Sequence, residues 1–476
     1  MKPLSQIISG VEVIDCTVTG DPVIEGMSQH SAKINENYIF FVSSEHAEEY
    51  IKEATERGAT VLIGEKIYPD ASCVVVKDVR KAAAIMARAF YDYPDRELTI
   101  IGVVGTNGKT SITQLASKIL SCCGLRTAVI GTLGVFFGEE RIECERTTPD
   151  SAEFFYYLSE AVKRNVKYLF CEISAHAIYY KKLYGLRCDV CVFTNLTQDH
   201  LDFFGDMERY KNVKKSYFCR ANVKCGIINA DDETGREIIK NSDICCVSYG
   251  LNNPSDVFAV NIEQRIGTDF VANIFDDILY VHSPLYGEFN VSNLLAALTV
   301  GKLLGLEREE LTRAVLSVGE IEGRFNVINW KSKIVIDYAH TPDGMKKVLT
   351  CARSICKGNL ICLFGCGGDR DKTKRPIMGK IAAELADVVI LTSDNPRSED
   401  PEAIISDIKK GIDKEVFSMP DRKDAVRFAL GLAKEGDVVV LCGKGAENYI
   451  EYKDGKVAYS DRETCLDIIG GEKCRA

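Results

Sequence analysis

Residues 98–111 constrain this chain most. They read Leu-Thr-Ile-Ile-Gly-Val-Val-Gly-Thr-Asn-Gly-Lys-Thr-Ser, an apolar strand running straight into a glycine turn. The stretch Gly105-Thr106-Asn107-Gly108-Lys109-Thr110 has the makings of a phosphate cradle at the start of a helix. Glycines let consecutive backbone N–H groups face one anion, and the helix N-terminus adds positive potential; Lys109 supplies a cation and the Thr110 hydroxyl suits magnesium. The general spacing G-x-x-x-x-G-K-T needs glycine at Val103, whereas the glycines here are Gly102 and Gly105. A plain strand-to-helix turn would explain the glycines but not the Lys-Thr pair directly behind the last of them.

A chain of 476 residues has room for about three domains of ~150 residues. No apolar run approaches the ~20 residues of a membrane span, and Met1-Lys2-Pro3 does not lead into a secretory stretch, so a cytosolic protein without membrane insertion is expected. The 19 cysteines are odd in number and scattered, many in apolar runs (Cys171, Cys191, Cys362, Cys442), which fits a reducing compartment. Cys188 and Cys191 form a C-x-x-C without a second ligand pair, and read as small hydrophobes in a buried strand. The net charge of −10 speaks against nucleic acid and leaves small molecules as partners, around which Lys and Arg still gather locally.

Short Val/Ile-rich runs alternate with helical patterns, the signature of an α/β chain with parallel sheets. Strands are expected at 59–64 and 72–76 and a helix at 81–91, with a first domain ending near Asp95. A second series of strands covers 98–104, 166–173, 189–195 and 225–229, each ending in polar residues, where ligands of open parallel sheets sit. The stretch 257–281 reads as irregular or antiparallel, and 293–304 as a helix ended by Gly305. A third series covers 333–337, 360–364, 388–392 and 438–442, and its last three strands stop at polar or glycine-rich turns. The expected domains are 1–97, 98–330 and 331–476.

Glu172, at a strand end, and His200, in Thr194-Asn-Leu-Thr-Gln-Asp-His-Leu-Asp202, are candidate metal or phosphate neighbours. Charge pattern makes 209–216 a solvated helical face and singles out none of its lysines. In Asp337-Tyr-Ala-His-Thr-Pro342 the acid suits a ribose hydroxyl and His340 a phosphate. Asp394-Asn395-Pro396-Arg397 puts a carboxylate, an amide and a guanidinium on one turn. Such a turn grips a zwitterion when Arg takes a carboxylate and Asp an ammonium; otherwise it is an ordinary Asn-Pro turn with a surface ion pair.

These motifs, taken with Glu172-Ile-Ser-Ala-His176, Gly287-Glu-Phe-Asn-Val-Ser-Asn293, Gly323-Arg324 and Gly443-Lys-Gly445, occur in an order that resembles the Mur ligases of peptidoglycan synthesis, from about residue 98 to the C-terminus. The nearest branch is the one that adds meso-diaminopimelate. The resemblance implies a three-domain architecture, with a UDP-substrate domain, a central P-loop ATPase parallel sheet and a C-terminal Rossmann-like domain for the amino acid. It implies an ATP-dependent, ADP-forming amide ligase that phosphorylates the D-Glu carboxylate of UDP-MurNAc-L-Ala-D-Glu. Magnesium would be held by Thr110 and Glu172, with His200 near a second ion and Lys214 carbamylated by carbon dioxide. Asn290 and Asn293 would contact adenine, Arg324 and His340 phosphate, and Asp337 ribose. Ser28, Thr147, Thr148, Ser174, Tyr180 and Lys182 fall on the UDP-substrate side. Arg370, Asp394, Asn395, Pro396, Arg397, Gly443 and Glu447 fall on the amino-acid side. A monomer is expected.

The chain departs from the family mainly on the nucleotide-sugar side. Met27-Ser28-Gln29 replaces Asp-Ser-Arg, the segment 42–47 is short, and Ala175, Tyr180 and Lys182 stand for Ser, Gln and Arg. Ala446 also takes the histidine position of Gly-Lys-Gly-His-Glu. A paralogue that joins an amino acid to another carboxylate is therefore a second expectation, and a non-catalytic binding protein that keeps the fold a third.

Overall fold

Strands buried on both faces need helices on both sides, and the central sheet is built that way. The computed structural model describes residues 1–43 and 46–473. Its largest sheet has eleven strands. The inner ones, in spatial order, are Thr127–Gly131, Tyr168–Ile173, Thr99–Val104, Cys188–Phe193, Val223–Asn229 and Cys245–Gly250, all parallel. Thr99–Val104 lies between Tyr168–Ile173 and Cys188–Phe193, so the cradle, Glu172 and the Thr194–Asp202 motif all leave the same edge of the sheet. The stretch expected to be irregular or antiparallel is antiparallel: Val257–Arg265, Gly267–Ile274 and Asp277–Ser283 extend the sheet at one end.

A second sheet, built from residues 13–76, has five strands, and a third of six strands spans 326–442. In the third, Lys333–Asp337, Val438–Cys442, Leu360–Phe364, Val388–Leu391 and Phe417–Ser418 run parallel, and Asn326–Asn329 closes one edge antiparallel. The core of the first lobe is continuous with one face of the central sheet: Val79, Ala83 and Phe90 share a cluster with Phe154, Leu158 and Leu186. The third lobe has its own apolar layers on either side of its sheet.

Element limits shift where caps act. The helix expected at 81–91 is Val79–Phe90, because the Asp78 carboxylate caps it by accepting from Lys81 N. The helix expected from Asn293 runs Glu288–Leu303, with an acidic first turn after Gly287. The earlier start places Asn290 and Asn293 three residues apart on one helical face. Cys188 and Cys191 are fully buried in their strand. Of the short segment 42–47, residues 44 and 45 lie outside the described residues. Among the described residues no helix is long and apolar enough to cross a membrane.

Candidate active site

The glycine turn is held from the neighbouring strand end. Thr194 Oγ1 donates to Asn107 O at 2.6 Å, Asn107 N donates to Asn195 Oδ1 at 3.0 Å, and Thr106 N donates to Asn195 O at 2.8 Å. Gly108 sits at φ +87, and a Cβ there would lie 2.7 Å from Asn293 Oδ1, so glycine is required both by the backbone and by the close approach of the helix. Lys109 Nζ folds over the loop, donating to Gly105 O at 2.9 Å and Thr106 O at 2.8 Å. Burial pushes its ammonium down.

Glu172 is 1% exposed. Its carboxylate accepts from Thr132 N at 2.8 Å and Thr132 Oγ1 at 3.0 Å, and a Cβ on Gly131 would fall 2.2 Å from Oε1. Glycine at 131 is therefore a condition for the position of this carboxylate, and nothing in the local sequence signals it. Lys214 is also 1% exposed. It donates to Gly105 O and lies 4.6 Å from the centre of the Tyr210 ring. Burial, with the Lys109 charge beside it, holds its ammonium well below the ordinary lysine range.

Among the described residues no three His, Cys, Asp or Glu side chains converge as a metal site. The donors at hand are the Thr110 hydroxyl, the Glu172 carboxylate and a lysine amine that becomes an oxygen ligand once carbamylated. Glu172 is buried, and among the described residues its carboxylate accepts from Thr132 alone, which leaves oxygen lone pairs for a hard cation. The donor set fits magnesium on that ground.

His200 adopts a left-handed backbone (φ 55), and burial pushes its imidazolium down to about 3. Beside it, buried Asp199 gathers groups from two lobes: His200 Nε2 at 3.3 Å, His340 Nε2 at 3.6 Å and Lys374 Nζ at 3.6 Å. Burial alone would raise the Asp199 carboxyl, yet the bond to His340 and the surrounding cations hold it well below the usual range.

The other expected nucleotide-side residues come from the helix Glu288–Leu303 and from the junction of the second and third lobes. Arg324 Nη2 donates to Thr110 Oγ1 at 3.0 Å, and its guanidinium covers the Tyr338 ring at 4.5 Å. Asp337 accepts Phe325 N at 2.8 Å and Ala339 N at 2.7 Å, so this expected ribose ligand also fixes the Arg324 turn. His340 Nδ1 sits 2.9 Å from Tyr338 O. Asn290 Nδ2 donates to Tyr286 O at 2.9 Å and Asn293 Nδ2 to Asn290 Oδ1 at 3.3 Å.

On the expected UDP-substrate side, Thr148 Oγ1 donates to Glu172 O at 2.8 Å and accepts from Ser174 N at 3.0 Å. Thr147 Oγ1 lies 3.0 Å from Thr132 Oγ1. These threonines therefore adjoin the Glu172 strand end. Ser174 caps the next helix, Ser28 Oγ is engaged by the backbone of His30, and Arg80 covers the Tyr180 ring at 4.4 Å. Lys182 Nζ meets Asp150 Oδ1 at 2.9 Å. Asp150 also receives His30 Nε2 at 2.9 Å and Arg146. One carboxylate thus collects three basic side chains from separate segments, a cluster absent from the sequence reading. Burial would raise the Asp150 carboxyl, but the His30 bond and the Lys182 and Arg146 charges hold it far below its usual range.

At the expected amino-acid site, Asp394 lies 3.5 Å from Lys444 Nζ, and Lys444 also meets Glu447 Oε2 at 3.0 Å. Asn395 Nδ2 donates to Glu447 Oε2 at 3.0 Å. A Cβ on Gly443 would meet Asp394 Oδ2 at 2.3 Å, so the two motifs are packed back to back. Arg370 is exposed, with Nη1 on the Asp369 carbonyl at 3.0 Å. Arg397 carries the ion pair that the ordinary reading of its turn expects. Its Nε donates to Glu451 Oε2 at 2.9 Å and Nη1 to Gly368 O at 2.8 Å. Glu451 is a neighbour that the motifs left out, and Lys444, inside the Gly443-Lys-Gly445 motif, was not among the expected site residues.

The loop carrying Arg370 reaches the nucleotide side directly. Gln198 Nε2 donates to Asp371 Oδ2 and to Thr373 Oγ1, both at 2.9 Å, and Thr197 Oγ1, one residue earlier, accepts from Asn107 Nδ2 at 3.2 Å. The expected phosphate-loop and amino-acid residues thus lie in adjoining lobes of an α/β protein, joined at this loop.

Comparison with known proteins agrees. The Mur ligase middle domain matches residues 103–301 and the Mur ligase glutamate ligase domain residues 323–445. UDP-N-acetylmuramoyl-L-alanyl-D-glutamate–2,6-diaminopimelate ligase 1 of Clostridium acetobutylicum is 38% identical over 464 residues, covering 94% of this chain and 95% of the relative. The ligase of the same description from Aquifex aeolicus is 38% identical over 459 residues, with 95% of each chain covered. A solved structure of a ligase so described superposes with a TM-score of 0.69 at 32% identity, over 99% of this chain and 100% of its own. The chain belongs to the Mur ligase family. Coverage on this scale carries the likeness well into the first lobe, further than the motifs alone reached.

Proposed function

We propose that the chain is an ATP-dependent, ADP-forming ligase that adds meso-diaminopimelate to the D-Glu carboxylate of UDP-MurNAc-L-Ala-D-Glu. Residues 1–97 and the Thr147–Thr148 side of the middle lobe take the nucleotide-sugar peptide, residues 98–330 take ATP, and residues 331–476 the amino acid. The observation that carries this reading is the contact of the Arg370–Thr373 loop with Gln198, one residue from the support of the phosphate loop.

An unactivated carboxylate is a poor electrophile. Its oxygen attacks the γ-phosphorus, the bond to ADP breaks, and an acyl phosphate results. The substrate amine then attacks the acyl carbon, phosphate leaves and the nitrogen gives up a proton. Phosphoryl transfer demands positioning and charge neutralisation. Lys109 and the turn N–H groups hold the phosphates, while Arg324 reaches them from the end of the middle lobe. Thr110, Glu172 and a carbamate on Lys214 would hold magnesium, which supplies further neutralisation when bound. His200 stays neutral beside Asp199, and Asp394, Asn395, Glu447 and Arg397 orient the diamino diacid.

Purified protein given ATP, magnesium, bicarbonate, meso-diaminopimelate and UDP-MurNAc-L-Ala-D-Glu is expected to release ADP and form the tripeptide only when all are present. Absence of dipeptide-dependent ADP release would overturn the reading in favour of a different carboxylate substrate.

A further inference from the structure

Glu451 belongs to none of the motifs, yet three bonds tie it to the Asp394–Arg397 turn. Its N–H donates to Asn395 Oδ1 at 2.8 Å, its carbonyl accepts Arg397 N at 2.9 Å, and its carboxylate Oε2 accepts Arg397 Nε at 2.9 Å. The hairpin that carries it, Tyr449–Tyr452 with Gly455–Ala458, is bridged to the turn again through Arg397 and Tyr452. Arg397 itself has a left-handed backbone (φ 51), a conformation that costs energy for a side-chain-bearing residue. That cost is tolerated where the surroundings over-determine it, and here they consist chiefly of Glu451.

A guanidinium on a long, partly exposed side chain loses rotamer freedom when it binds a carboxylate. With Nε fixed by Glu451 and Nη1 by the Gly368 carbonyl, that loss has been met before ligand arrives, while Nη2 bonds to no described residue and stays available. We propose that Glu451 is a positioning residue for substrate selection. It pre-orients Arg397 so that a distal carboxylate is captured, and thereby favours a diamino diacid over a plain diamino acid. This inference rests on the amino-acid site proposed above. An internal carboxylate that competed with a ligand carboxylate for Arg397 would act in the opposite direction, and substitution separates the two effects.

Steady-state kinetics of wild type, Glu451→Ala and Glu451→Gln, with meso-diaminopimelate and with lysine as acceptor, test it. Glu451→Ala is expected to raise KM for meso-diaminopimelate about tenfold, the scale of one lost charge-assisted bond, with kcat and the KM for ATP little changed. Lysine use should change little, so the preference narrows. Glu451→Gln keeps an acceptor for Nε and should restore most of the affinity. Lower KM in both variants would show Glu451 to be a competitor and overturn the proposal, as would unchanged KM in Glu451→Ala. A wild type without activity toward meso-diaminopimelate would instead overturn the function reading and this inference with it, so the two failures are told apart by the wild-type control.

Discussion

Two lysines beside the phosphate loop, Lys109 partly exposed and Lys214 buried, differ in task. Lys109 rests on the loop carbonyls, which ATP phosphates would replace as its partners. Lys109→Ala is expected to lower kcat by about 10²- to 10³-fold, the usual consequence of losing one preorganised charge-stabilising donor, with the melting temperature little changed. Lys214 points at the same Gly105 carbonyl, and burial together with Lys109 depresses its ammonium. A depressed lysine is more often the neutral amine that adds to carbon dioxide, losing a proton to become a carbamate. Protein depleted of carbon dioxide should therefore regain activity with bicarbonate, and ¹³C-bicarbonate should give a carbamate resonance absent from Lys214→Ala. A labelled resonance that persists in the variant would dismiss Lys214 as the site. Gly131 offers a test of the metal reading. The Cβ of Gly131→Ala would collide with Glu172 Oε1, so the magnesium concentration for half-maximal activity should rise severalfold while the substrate KM for the amino acid stays put.

At the scale of elements, the loop 367–375 and the turn after Asp394 are clasped by Glu399. Its carboxylate accepts Arg375 Nη2 at 2.9 Å and Nη1 at 3.0 Å and the Asp369 N–H at 2.7 Å. Bonding to the buried Arg375 guanidinium lowers the Glu399 carboxyl from 4.5 to about 2. A carboxyl with a depressed folded-state pKa gives stability that is complete above its unfolded value and fades as pH falls through the folded one. Urea unfolding of wild type and Glu399→Gln should thus differ most above pH 4.5, and the gap should close towards pH 2. An equal gap across that range would assign the effect to packing. The clasp also marks what sequence made legible. Strand, glycine turn and helix N-terminus are consecutive, so the cradle and the ends of the parallel strands were readable from local pattern. Asp150 with His30, 120 residues apart, and Asn107 with Asp343, 236 apart, depend on how lobes dock, which no local period encodes. An ion pair was one reading of the Arg397 turn, but its partner Glu451, 54 residues on, is not legible from the turn itself.

The second and third lobes meet through apolar packing, with Tyr286 and Phe289 against the third-lobe core, and through a set of polar ties beside the phosphate loop. Asn107 Nδ2 donates to Asp343 Oδ2 at 3.1 Å, Gln198 Nε2 bridges to Asp371 and Thr373, and Asp199 faces Lys374 and His340. Each net hydrogen bond contributes about 1 kcal/mol, so the polar ties bias the balance between open and closed forms on top of that packing. Removing three of these bonds with Gln198→Ala and Asp343→Ala should cost about 3 kcal/mol of closed-state preference, roughly a 150-fold change in the equilibrium. Small-angle scattering checks this directly. A non-hydrolysable ATP analogue with meso-diaminopimelate is expected to contract the wild type, and the double variant should need far more ligand for the same contraction. Neither side chain belongs to the expected amino-acid set, so the KM for the amino acid would rise through the equilibrium alone, and high ligand concentration would restore kcat. A double variant that contracts as readily as wild type would mean that substrate contacts, not these ties, bring the lobes together.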